Sequence, residues 1–69
     1  MEARERLDAG ALLTPRQVAA FLGVHEVSLA RWRMRGGAGP AWVRLGSRAV
    51  RYKTEDVLDF AAAQERSAA

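Results

Sequence analysis

Apolar positions along this chain change period twice. Val18, Phe21 and Leu22 fall at i, i+3 and i+4, the spacing of one helical face. Signals for a helix start precede them. Thr14 is placed as N-cap, Pro15 occupies the first helical position, and Gln17 stands three residues after the cap, which makes a capping box. Leu13 and Val18 are spaced to clamp that end as a hydrophobic staple. The helix runs about eight residues and stops at Gly23, a residue suited to a left-handed C-terminal turn. A second helix is predicted from about Glu26 to Arg35. Leu29 and Trp32 turn inward with Val24, and Arg31 and Arg35, four apart, share the opposite side. Gly36-Gly37-Ala38-Gly39-Pro40 ends it.

The period then falls to two. Ala41-Trp42-Val43-Arg44-Leu45 and Ala49-Val50-Arg51-Tyr52 roughly alternate and are rich in β-branched and aromatic residues, with Gly46-Ser47-Arg48 as the turn between them. A lone two-stranded hairpin is marginal in water. This one must lean on the helices through Trp42, Val43 or Leu45, together with Val50 or Tyr52. Thr54 is placed to cap a last helix, with Glu55 and Asp56 in its first turn and Val57, Leu58, Phe60 and Ala61 as its apolar stripe. That helix is expected to fray after Gln64. The expected division is a flexible arm over 1–11, one domain over 12–66 and a disordered tail over 67–69.

The predicted fold is therefore mainly α with a small β-hairpin. Two short helices meet at a Gly turn, with Ala19 permitting close contact and Leu29 and Trp32 locking the second helix onto the first; a two-stranded wing and a C-terminal helix follow. This is the pattern of a winged helix-turn-helix. The plainer alternative is an ordinary helical hairpin.

Charge separates the two. The chain has 69 residues and a formal net charge of +3, unremarkable in sum. Its distribution is uneven. Between Val27 and Thr54 stand Arg31, Arg33, Arg35, Arg44, Arg48, Arg51 and Lys53, and no Asp or Glu. Among the 11 Lys and Arg residues only Lys53 is a lysine. Clustered Arg suits planar, bidentate recognition of phosphates and base edges, so duplex DNA is the expected partner.

Other function classes find little support. With no cysteine, thiol chemistry and thiolate metal sites are excluded, and His25, the single histidine, is no metal centre by itself. Nor does it have Ser and carboxylate partners in an arrangement for nucleophilic catalysis. Glu55 and Asp56 stand where helix-capping acids belong. The Gly36–Gly39 stretch lacks the Lys-Ser/Thr of a phosphate loop. No cofactor is expected. Nothing reads as a signal peptide or a membrane span, so a soluble cytoplasmic protein is expected.

Leu13-Thr14-Pro15, Val18-Ala19, Leu22-Gly23-Val24, Leu29 and Arg31-Trp32 resemble the small DNA-binding module of the MerR-like and excisionase-like superfamily. Gly39-Pro40-Ala41, Val43-Arg44-Leu45-Gly46, Arg48, Val50-Arg51-Tyr52 and Asp56-Val57 continue the match through the wing, so the resemblance covers about residues 12–62. It implies a phage or plasmid excisionase or an AlpA-type transcription regulator, with phage terminase small subunits similar. It implies that the second helix enters the major groove and that the wing touches the minor groove or backbone. Family members often place Ser or Thr where His25 stands, a better helix cap. MerR regulators carry a long coiled-coil helix and an effector domain that this sequence does not show, so no small-molecule effector is expected. An integrase or recombinase, and further copies bound side by side on DNA, are the implied protein partners, at the nucleoid of a bacterial or phage-infected cell.

Within that frame Arg31 and Arg35 are candidates for bidentate contact with guanine O6 and N7, with phosphate contact as the alternative. Glu26 either accepts from a cytosine amino group or stabilises its helix N-terminus. Val27 is placed to meet a thymine methyl and Ser28 a phosphate. Arg48 at the wing tip suits a narrow minor groove, while Arg44, Arg51 and Lys53 suit phosphates. One of Arg44 and Arg51 is alternatively placed to pair with Glu55 or Asp56. Trp32 and Trp42 fall in apolar patterns that favour core packing over base stacking. Met34 is left open between rim packing and groove contact. The contrasting function is an adaptor that docks a recombinase or packaging enzyme, for which an exposed apolar patch would be expected.

Overall fold

The structure, a computed structural model, describes residues 11–68. The expected arm over 1–11 lies outside them except for Ala11. Chain order is β1 (Leu12–Leu13), α1 (Pro15–Leu22), α2 (Glu26–Arg35), β2 (Val43–Leu45), β3 (Ala49–Lys53) and α3 (Thr54–Ala68).

The start of α1 follows its sequence signals closely. The Gln17 amide donates to Thr14 Oγ1 at 3.1 Å, and the Thr14 amide donates to Gln17 Oε1 at 2.9 Å. Two otherwise orphaned N–H groups are thereby satisfied. Leu13 and Val18, the staple pair, are both buried. At the other end Gly23 adopts φ +73° and the Val24 amide donates back to the Ala19 carbonyl at 3.0 Å. That reversal turns the chain into α2 within three residues. His25 has the extended backbone of an N-cap, but its side chain makes no capping hydrogen bond.

The sheet corrects one expectation. It has three strands in the order β1-β3-β2, all antiparallel, where two were expected. Leu12 pairs with Lys53 and Leu13 with Tyr52. Two residues are too few to show an alternating pattern, so β1 carries no signal in the order of its residues. Its consequence is mechanical, because the hairpin is tied to the chain entering α1 as well as to the helices.

Thr54 belongs to the same tie. Its amide and its hydroxyl both donate to the Ala11 carbonyl, at 3.0 and 3.3 Å, and the side chain is fully buried. The expected cap role is overturned: the hydroxyl serves a residue 43 positions away, and α3 begins at Thr54 itself. The helix continues to Ala68 rather than fraying after Gln64, so residues 67 and 68 of the expected tail are helical.

Leu13, Val18, Ala19, Leu29, Tyr52 and Val57 form the core, with Leu22, Val24, Trp32, Trp42 and Val50 packed against it. Every element except β2 supplies a buried residue. Each fully buried Leu or Val contributes about 1.5–3 kcal/mol. The Trp32 and Phe60 rings meet at 5.7 Å, tilted by 50°, which joins α2 to α3. Of the alternatives for the hairpin's contact, Trp42 packs there and Leu45 does not, and two residues of the expected apolar faces lie outside the core: Phe21 and Leu58 are each more than two-fifths exposed. Among the described residues no helix is long and apolar enough to cross a membrane.

Candidate nucleic-acid interface

Successive residues of a helix point about 100° apart, so burying Leu29 and Trp32 fixes what α2 turns outward. Leu29 is fully buried and Trp32 packs on the core. The opposite side carries Val27, Arg31 and Met34, with Ala30 and Arg35 flanking them. Arg31 and Arg35 are exposed, Val27 is 58% exposed and Met34 86%. Glu26 is exposed in the first turn, where its carboxylate faces the positive end of the helix dipole. Ser28, half-buried, sits toward the core side of this face.

The hairpin divides its cations between two faces. Directly opposed residues of an antiparallel pair share a face, and Arg44 opposes Val50 while Arg51 opposes Val43. Val50 and Tyr52 face the core, so Arg44 lies on the helix side. There Ala30, Arg33, Met34, Trp42, Arg44 and Val50 line one open groove between α2 and the wing. The Arg44 guanidinium lies 5.4 Å from the Trp42 ring centroid, a cation–π contact that steadies a long side chain. Arg51 and Lys53 alternate onto the far face. Arg51 folds back along its own strand, with Nη1 donating to the Val50 carbonyl at 2.7 Å. The alternative pairing of Arg44 or Arg51 with Glu55 or Asp56 is thus replaced by Trp42 for one and a backbone carbonyl for the other. Arg48 is exposed in the Gly46–Arg48 turn.

The structure therefore places Val27, Arg31 and Met34 on the outward face of α2, with Arg35 at one flank and Glu26 and Ala30 toward the other. It sets Arg44 in the groove beside Ala30 and Met34, leaves Arg48 at the tip, and turns Arg51 and Lys53 to the far face of the hairpin. An exposed, arginine-bearing helix face beside a basic hairpin is an arrangement suited to duplex grooves. The sequence matches the model of a helix-turn-helix domain family over residues 12–65. The chain belongs to that family. Comparison with curated proteins gives no match that would name a relative.

As a helix-turn-helix protein it is a DNA-binding domain, and the placement of α2 depends on a residue not among the predicted site residues. Arg33 belongs to the basic window, yet its Nη1 donates to the buried Tyr52 hydroxyl at 2.7 Å. This ties the middle of α2 to the central strand of the sheet. A signal was present: Arg33 follows Leu29 by four residues and so shares its inward-facing stripe. Met34 follows Val27 by seven, two turns on, which puts it on the outward face.

Proposed function

We propose that this helix-turn-helix protein binds duplex DNA sequence-specifically, with α2 in the major groove and the hairpin on the adjacent minor groove or backbone. In this reading Arg31 and Arg35 contact guanine edges or phosphates, Glu26 and Val27 meet base edges, and Ser28 meets a phosphate. Arg48 enters the minor groove and Arg44 holds a phosphate from the groove side, while Arg51 and Lys53, on the far face of the hairpin, reach only outlying phosphates. The supporting observation is the open groove in which Ala30 and Met34 of α2 meet Trp42, Arg44 and Val50 of the wing, within a stretch from Val27 to Thr54 that holds seven cations and no acid.

The MerR-like and excisionase-like resemblance narrows the role to an excisionase acting beside an integrase, or an AlpA-type transcription regulator. Recognition of packaging sites, as by a terminase small subunit, uses the same surface with a different partner. One domain with a single recognition helix reads few base pairs, which favours several copies side by side on a natural site. The adaptor reading has one feature in its favour, the apolar cleft of Phe21, Leu22, Val24, Trp32 and Phe60 on the side away from the wing groove.

The deciding experiment is fluorescence anisotropy with randomised duplexes over a salt series, followed by sequencing of the bound fraction. Sequence-specific binding requires an enriched motif and an affinity that falls by about 0.9 log units per phosphate contact per log unit of salt. Absence of binding at low salt refutes the reading. The spacing of repeats in the motif reports the number of copies.

A further inference from the structure

Resting on that DNA-binding reading, we propose that Val27 and Met34 read the C5-methyl groups of pyrimidines in the major groove, on either side of the hydrogen-bonding Arg31. The two are the most exposed large apolar side chains among the described residues, at 58% and 86%. Neither belongs to the core cluster. They stand seven residues apart, two turns of helix, so their azimuths differ by only about 20° and their Cα atoms by ~10 Å along the axis. Successive bases on one strand rise by about 3.4 Å, so the ridge spans a few base pairs. Ala30 lies between the two and has no side chain long enough to hold them off a surface.

A scattered exposed apolar residue needs no explanation. This pair does, because its setting is cationic on balance, with Arg31, Arg35 and Arg44 against Glu26. Arg31 and Arg35 lie along one side of it on α2, Arg44 lines the same groove as Met34, and Glu26, beside Val27, is the single acid near it, since none occurs from Val27 to Thr54. The complementary surface must be anionic overall and carry small apolar groups at helical depth. The floor of the major groove fits: phosphates line its edges, and the C5-methyl of thymine is the apolar group it presents. Methionine suits this task because its unbranched, polarizable chain adapts to the position of a methyl. Val27, branched and stiff, supplies a fixed contact near the first turn. Arg31 between them adds a guanine preference, so the expected core of the site is a guanine flanked by methylated pyrimidines.

The test uses the full chain and the motif recovered from randomised duplexes. Each thymine is replaced in turn by deoxyuridine, which removes the C5-methyl and keeps every hydrogen-bonding group. The expected result is about a four-fold loss of affinity at each position facing Val27 or Met34, the effect of exposing about one methylene's worth of surface. In Met34→Ala the loss disappears at one position, and in Val27→Ala at another. Both side chains are exposed, so circular dichroism should show either variant folded. Placing 5-methylcytosine rather than cytosine at the same position separates the two sources of the group: recovered affinity shows that any C5-methyl is read, and no recovery restricts the reading to thymine. A motif without thymine beside its guanine, or tight specific binding indifferent to every deoxyuridine, overturns the proposal while leaving the DNA-binding reading intact. Failure to bind any duplex removes both.

Discussion

The hydroxyl of Tyr52 accepts a 2.7 Å hydrogen bond from Nη1 of Arg33, joining the fully buried tyrosine to α2. Tyr52 sits in the central strand, paired to Leu13 on one side of the sheet, so the position of α2 is referred to the whole fold. Tyr52→Phe keeps the ring and removes the acceptor. A hydrogen bond from a charged donor is worth about 1.5–3 kcal/mol, and the half-exposed guanidinium regains some hydration, so a loss of about 1 kcal/mol is expected. Thermal melting should show the midpoint falling by about 4–8 °C. A midpoint within a degree of the parent would mean that the bond is not holding the helix.

Gly39 is held against an indole. It has φ +76°, and a Cβ there would stand 2.7 Å from Trp32 Cε3 and 3.1 Å from Trp32 Cβ. Gly37 has nearly the same backbone, φ +79°, with nothing within 4 Å. Gly37→Ala should cost about 1–2 kcal/mol, the left-handed penalty alone. Gly39→Ala adds about 1–3 kcal/mol of overpacking, because Trp32 is wedged against Phe60. Urea denaturation of the two variants side by side isolates the packing contribution. Equal midpoints would show that Trp32 gives way freely.

The two helix N-termini make opposite predictions. Thr14 has a complete capping box, so Thr14→Ala should cost about 1 kcal/mol. His25 has cap backbone angles and no cap bond, so His25→Ser should stabilise by about 0.5–1 kcal/mol. Differential scanning calorimetry on the pair reads both signs. A His25→Ser variant that melts no higher than the parent would show that the imidazole contributes something else at that site.

The cations of the interface should separate by the face they occupy. Arg31→Ala is expected to weaken specific binding by about 1–3 kcal/mol and to relax the motif. Arg48→Ala should weaken all duplexes alike and lower the salt slope by about one contact. Arg51→Ala should do less than either, since its guanidinium is turned to the far face and engaged with the Val50 carbonyl. Anisotropy against the selected motif and a scrambled duplex ranks the three. A specific effect from Arg51→Ala equal to that of Arg31→Ala would reverse the assignment of faces.

What was legible beforehand is what depends on neighbours along the chain. The Thr14–Gln17 box, the reversal at Gly23, the bounds of α2 and the hairpin turn are settled within a few residues, and the helix-turn-helix order follows from them. The gathering of arginines between Val27 and Thr54, and with it the nucleic-acid partner, is equally a property of sequence. Tertiary structure decided what depends on distant partners. Leu12–Leu13 becomes a strand only because β3 offers it a free edge, and the Thr54 hydroxyl abandons its own helix because burial leaves the Ala11 carbonyl as its acceptor. Among seven cations alike in the sequence, packing alone determined that Arg33 serves Tyr52, that Arg44 faces the groove and that Arg51 does not. A long, flexible side chain has no preferred direction of its own, and it takes one only from the surface that the rest of the fold builds beside it.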